Sequence, residues 1–186
     1  LQSHSPPEIL FSIYTSFLHS LLFDPTLSQT EIFSENCQWG EFVQKSYSSL
    51  DFVYSNIPDP YRRIKLGYIS RDFFDQAAAS FTRVLFEDYK KDSFEIFCYA
   101  DVSVPDALTE EYKGLVDSWR DLRNLTVKEV ASLIYQDGID ILIDPGSGPT
   151  SSRNSILPFA HHPAPIQLTS CPMSTGLKAI HYRITD

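Results

Sequence analysis

With 42% hydrophobic and 13% aromatic residues, the 186-residue chain has enough apolar side chain for one sizeable packed domain with a helical appendage. Fifteen basic residues against 24 acidic ones leave a formal charge of −9, which argues against a nucleic-acid surface, because phosphate binding needs concentrated positive charge. No apolar run approaches the roughly 18 residues that span a bilayer, and the amino terminus lacks a basic-then-apolar leader pattern, so no membrane partner is expected.

The first 58 residues read as helical. Glu8 to Phe23 places Ile9, Ile13, Phe17 and Leu21 on one face, with Leu10, Tyr14 and Leu18 beside it, and Pro25 stops the helix. Ser28 followed three residues later by Glu31 is a capping-box signature for a second helix to about Ser49, carrying Phe33, Trp39, Phe42 and Val43. No repeat of about 34 residues is visible. Asn56-Ile57-Pro58-Asp59-Pro60 is a proline-rich connector and the expected boundary between a helical segment, 1–58, and a second unit, 61–186.

Beyond the connector the period changes. Ile64 to Ile69 predicts a strand, Asp75 to Lys90 a helix, Phe94 to Ala100 an aromatic and β-branched strand, and Thr109 to Ser118 a helix. Trp119 to Leu122 is ambiguous. Thr126 with Glu129 forms a second capping box for a helix ending near Tyr135, closed by Gly138. Ile139 to Ile143 and Ile166 to Thr169 read as buried strands. Strands alternating with helices predict an α/β fold, a Rossmann-like parallel sheet with an amino-terminal helical segment.

In such sheets ligands sit beyond the carboxyl ends of the strands, so the loop Ser70-Arg71-Asp72 after the first strand is where chemistry is expected. The other reading of that loop is an ordinary strand-to-helix connection with a solvated charge pair. Asp144 closes a later strand, and it reads either as a site carboxylate or as a turn residue before Pro145-Gly146; Asp137 should face away. His161-His162 precede a proline without a third ligand at plausible spacing, so no metal site is expected. Cys37, Cys98 and Cys171 are far apart and odd in number, which suggests neither a zinc site nor a disulfide framework and points to a reducing, cytoplasmic setting. Asn124-Leu125-Thr126 fits a glycosylation sequon that matters only in a secreted chain. Met173 is the single methionine, so the chain is expected to be trimmed or excised from something longer.

The runs RRIKLGYISRDF, FEIFCYADVSVPDALTE, DGIDILID, HPAPIQLT and STGLKAIHYRITD, in that order, resemble the amino-terminal catalytic lobe of bacterial proteins similar to protein O-GlcNAc transferase. The resemblance covers roughly residues 61–186, and the helices before it are similar to those that join a helical-repeat array to the catalytic region in that family. It implies one lobe of a GT-B fold and transfer of a sugar from a UDP-sugar to serine or threonine of an acceptor protein or peptide. No further cofactor is implied, and the UDP-sugar would be held mainly by a second lobe.

The same resemblance implies Asp144, Asp72 and Gln76 as the catalytic positions and Ser70, Arg153 and Thr175 as substrate-binding ones. Three loops depart from the family pattern. Gln76 stands where a histidine is usual and cannot titrate near neutral pH. Ser147-Gly148-Pro149 replaces an aromatic or imidazole group. Ser170-Cys171-Pro172-Met173 replaces a longer tryptophan-containing segment, and His181 stands where an aspartate is usual. The expectation is therefore a partial or degenerate transferase, with a catalytically inactive binding or scaffold module as the alternative. A free-standing flavodoxin-like or receiver-like domain fits the strand pattern but not the ordered motifs.

Overall fold

A computed structural model describes residues 7–47, 50–77, 79–145, 156–170 and 174–184. Helices α1 (Pro7–Leu21) and α2 (Gln29–Tyr47) come first. Six strands follow, β1 (Ile64–Ser70), β2 (Phe94–Ala100), β3 (Ser118–Asp121), β4 (Ile141–Asp144), β5 (Ile166–Thr169) and β6 (Tyr182–Arg183), with α3 (Ala79–Glu87), α4 (Ala107–Leu115) and α5 (Val127–Gln136) between them. All pairings are parallel, in the order β3-β2-β1-β4-β5-β6. This is the doubly wound Rossmann order. A flavodoxin-like or receiver-like sheet would run 2-1-3-4-5, so the register excludes that reading.

Strand alternation divides the core in two. Ile69, Phe97, Tyr99 and Leu142 point to one face, where they cluster with Val130 and Ile134 of α5, with Leu157 and Phe159 of a 3-10 turn (Leu157–His161), and with Phe11, Leu18, Trp39 and Val43 of α1 and α2. Tyr68, Ile96, Cys98 and Ile143 point to the other, against Phe86 of α3 and Tyr112 of α4. The amino-terminal helices thus share one hydrophobic core with the sheet.

Several elements differ from the sequence expectation, each for a tertiary reason. On α1 the buried residues are Phe11 and Leu18, whereas Ile13 (62% exposed) and Phe17 (45%) of the expected inner face point outward. The apolar face of α1 is wide, opposite a polar stripe that includes Thr15, Ser16 and His19, and the rings of Phe42 and Tyr47, 5.3 and 5.4 Å from Phe11, select the part of it that is buried. Phe33 of α2 is likewise exposed. Helix α3 begins at Ala79 rather than Asp75, because residues 72–77 are drawn into a turn tied to α4. Helix α4 ends at Leu115, which frees Ser118 to open β3. Strand β4 starts at Ile141, not Ile139, and β6 is too short to show a period of its own.

Both predicted capping boxes form. Ser28 N–H donates to Glu31 Oε2 at 2.8 Å, and Thr126 N–H donates to Glu129 Oε2 at 2.7 Å. At Gly138 a φ of +66° closes α5 in the left-handed region that glycine occupies without strain.

The amino edge of the sheet is locked by charge. Asp140 lies just before β4 and accepts from Arg62 Nη1 and Nη2, both at 2.6 Å, from the Asn56 amide at 2.6 Å and from Lys65 N–H at 2.9 Å. The proline-rich connector is thereby fastened across β1 and β4. Burial pushes the Asp140 carboxyl up, but the Arg62 pair, the Lys65 N–H and the Asn56 amide outweigh it and hold it below the usual carboxylate range. Asp117 plays the same part before β3, accepting from Ile96 N–H, Tyr89 Oη and Arg63.

Candidate functional site at the carboxyl edge

Strand order reverses between β1 and β4, and in an open α/β sheet that crevice is the ligand position. Ser70 ends β1 and Asp144 ends β4, so both expected residues stand at the carboxyl edge beside the switch point. Tyr68 pairs with Ile143, and Asp144 pairs with Thr169 at the end of β5.

Asp144 is fully buried, and its Oδ2 accepts from the Thr169 hydroxyl at 2.9 Å. Its main chain is also engaged, since Ser170 N–H donates to the Asp144 carbonyl at 2.9 Å. The Asp144–Thr169 pair lies on the face of Leu142 and Gln167, toward α2 and the 3-10 turn. Ser70 falls on the opposite face, with Tyr68, by the same alternation. Ser70 and Asp144 therefore share an edge of the sheet, but they project to different sides of it.

Ser70 is 1% exposed, and its Oγ accepts from Asp72 N–H at 3.0 Å, a local turn that sets the path of the loop. Asp72 and Arg71 lie 3.9 Å apart with side chains 38% and 51% exposed, a loose surface pair. Phe73 is fully buried against Phe86, Tyr112 and Trp119. Thr109 Oγ1 donates to the Phe73 carbonyl at 2.8 Å, and Asp75 N–H donates to Asp106 Oδ2 at 2.7 Å. Those anchors hold Gln76, half-buried, in a turn rather than on a helix, with its carbonyl accepting from Ala79 N–H at 2.9 Å. The Asp75 and Thr109 N–H groups keep the Asp106 carboxyl below its ordinary value.

The third loop is fixed from outside the sheet. Thr175 is 5% exposed, and its hydroxyl accepts from Leu177 N–H at 3.3 Å. Gly176 has φ +64°, and a methyl group on it would overlap the Asn36 carbonyl; a methyl on Gly40 would overlap the Gly176 carbonyl. The two glycines let α2 and this loop meet backbone to backbone. Arg153, Gly148 and the Cys171–Met173 segment lie outside the described residues.

Sequence reasoning missed Thr169 as a site residue, because only the β4–β5 register places its hydroxyl against Asp144. It also missed Asp106 and Thr109, which shape the first loop from a different helix. The DALT string around them was the available signal, an N-cap pattern. Asp137 faces away from this edge as expected, paired with Arg120 at 2.8 Å and accepting from Tyr99 Oη at 2.8 Å.

Among the described residues no group of three His, Cys, Asp or Glu side chains could hold a metal ion, and no helix is long and apolar enough to cross a membrane. His161 is buried and His162 half-buried; burial lowers both imidazole pKa values, aided at His161 by Lys128 and at His162 by His181.

Similarity to known proteins agrees with this geometry. Over 165 residues, 84% of the chain, 32% of positions are identical to the Arabidopsis thaliana protein named "Probable UDP-N-acetylglucosamine--peptide N-acetylglucosaminyltransferase SPINDLY". A match over 132 residues, also at 32% identity, reaches the Arabidopsis thaliana protein of the corresponding name, SEC. The chain spans only 17% and 13% of those two proteins. Among solved structures, a mutant Thermobaculum terrenum O-GlcNAc transferase superposes with a TM-score of 0.84 at 26% identity, covering 95% of this chain and 34% of that one. The model of glycosyl transferase family 41 matches residues 44–186, which is most of the chain, and the chain belongs to that family.

Proposed function

We propose that this chain is the acceptor-side lobe of a glycosyltransferase that moves a sugar from a UDP-sugar to a serine or threonine hydroxyl of a protein or peptide. The donor's nucleotide is held by a second lobe. The observation that carries this reading is the coincidence of the family match with a 3-2-1-4-5-6 sheet whose carboxyl edge carries Ser70, Asp144 and Thr169 at the strand ends.

Transfer requires a proton to leave the acceptor hydroxyl as the sugar–diphosphate bond breaks, with negative charge developing on the diphosphate. Gln76 can orient a hydroxyl but cannot take its proton. Asp144 is enclosed and already accepts from Thr169, so it serves as a fixed acceptor that holds β4 and β5 in register. Asp72, partly exposed at the same edge, is then the base within reach of an incoming hydroxyl. These features support slow transfer, and the burial of Asp144 favours a second reading in which the lobe retains binding and has lost the chemistry.

The test is incorporation of labelled N-acetylglucosamine from its UDP derivative into serine-containing peptides by the full-length protein, compared with Gln76→His. Slow incorporation, well below about 1 per second, that rises in the variant supports the transferase reading. Rates at or above about 1 per second in the unaltered protein show that no imidazole is needed at position 76. No incorporation in either form, with peptide binding intact, selects the scaffold.

A further inference from the structure

One carboxylate holds the first loop from outside the sheet. Asp106 precedes the first turn of α4, and its two oxygens take different partners: Oδ1 accepts from Thr109 N–H at 2.9 Å and caps the helix, while Oδ2 accepts from Asp75 N–H at 2.7 Å. A helix cap needs only one acceptor oxygen, which serine, threonine or asparagine also provides. The second oxygen serves the loop, and a carboxylate alone offers two acceptors with no donor beside them.

The same helix end grips the loop at a second point. Thr109 Oγ1 accepts from Asp106 N–H at 3.2 Å and donates to the Phe73 carbonyl at 2.8 Å, so the cap and the loop main chain form one continuous path. The Phe73 ring is itself buried against Phe86, Tyr112 and Trp119. The main chain is thereby pinned at Phe73 and Asp75, and Asp72 and Gln76 flank that stretch. Asp72 is also set from its own side, since its N–H donates to Ser70 Oγ. Asp106 therefore bears most directly on Gln76, the next residue after the Asp75 contact.

We propose that Asp106 is a positioning residue for transfer: through Asp75 N–H it fixes where Gln76 meets the acceptor hydroxyl. The proposal rests on the acceptor-lobe reading above and adds the residue that keeps the orienting group in place. Misplacing such a group by about 1 Å costs roughly a hundredfold in rate, so a loop contact that the fold does not need can still decide turnover. Asp106 is only half-buried, so a neutral side chain of the same shape there keeps the cap and releases the loop.

Asp106→Asn in the full-length protein tests it, with Asp106→Ser as a second variant. Asparagine keeps one acceptor oxygen for Thr109 N–H and turns an amide NH2 toward Asp75 N–H; serine caps the helix but is too short to reach the loop as well. Both should melt as the parent does, while amide exchange at Asp75 becomes about tenfold faster. In transfer of labelled N-acetylglucosamine to a serine-containing peptide, kcat should fall about thirtyfold with the peptide KM within about twofold. In a Gln76→Ala background, Asp106→Asn should cost no more than about threefold, because the group it places is gone. An unchanged kcat despite faster exchange overturns the role. So does a loss of equal size with and without Gln76, or one that tracks the melting temperature across the two variants, since either marks Asp106 as a residue of the fold alone. A parent that transfers nothing defeats the acceptor-lobe reading and this role with it. A parent that transfers, beside variants that transfer equally, defeats this role alone.

Discussion

The two edges of the one parallel sheet are built to opposite rules. At the amino edge, acidic groups are closed by an ion pair and further hydrogen bonds, Asp140 with Arg62, the Asn56 amide and the Lys65 N–H, and Asp117 with Arg63, the Tyr89 hydroxyl and the Ile96 N–H. At the carboxyl edge the groups are hydroxyls and carboxylates set by short turns, such as Ser70 on Asp72 and Thr175 on Leu177, and the Arg71–Asp72 pair is loose and exposed. Charge at the amino edge stabilises the chain path, while at the carboxyl edge buried hydroxyls set the loop paths and the Arg71–Asp72 pair stands open to a ligand. Substitutions at the two edges should therefore separate into stability effects and binding effects.

The largest effect is expected from Asp140→Ala. It strands the Arg62 guanidinium and removes the acceptor of Lys65 N–H, at a cost of about 3 kcal/mol in a urea titration. A loss under about 1 kcal/mol would show that the amino edge is not the lock described above. Next is Gly40→Ala. The added methyl would normally favour a helix, but here it collides with the Gly176 carbonyl and should cost about 2 kcal/mol while loosening the third loop. Faster amide exchange at Leu177, whose N–H the Thr175 hydroxyl accepts, would report that displacement.

Acid should destabilise the fold in two steps. The His161 and His162 imidazoles have lowered pKa values, so the folded state takes up their protons later than the unfolded chain does. Their contribution is complete above the ordinary histidine value of about 6.5 and declines as pH falls below it. Asp140 and Asp117 are carboxylates held low, so their contribution is present above about pH 4 and is lost as pH falls through their folded values. A stability profile that is flat from pH 7 to 5 would remove the first step, and His161→Phe should reduce it to the share of His162.

The smallest effect on stability belongs to the carboxyl edge. Asp72→Asn should change it by no more than about 0.5 kcal/mol, since the side chain is 38% exposed and its salt bridge is long. In the full-length protein the same substitution should abolish whatever transfer is measured. If it instead costs as much stability as Asp140→Ala, the division between the edges fails. Calorimetry of the isolated chain with UDP should find no micromolar binding, because the described residues include no glycine-rich helix entrance for a diphosphate.

Local chemistry in the sequence determined a large part of this protein. Short-range signals were sufficient for the two capping boxes at Ser28 and Thr126, the stop at Gly138, and strands β1, β2 and β5, since each depends on residues a few positions apart. The ordered motifs identified the family. Only tertiary structure decided which part of the apolar face of α1 is buried, because that face is wider than one contact can cover, and Phe42 and Tyr47 engage its Phe11 side. It also decided that residues 75–77 stay out of α3, as the pull of Asp106 and Thr109 on the first loop comes from more than 30 positions away in sequence. The candidate site shows the same limit. Ser70, Asp72, Asp144 and Thr175 were legible as strand-end and loop residues, whereas Gln76 was expected on a helix and lies in a turn. The projection of Ser70 and Asp144 to opposite faces, and the Asp144–Thr169 hydrogen bond, follow from strand register, which sequence-local periodicity does not encode.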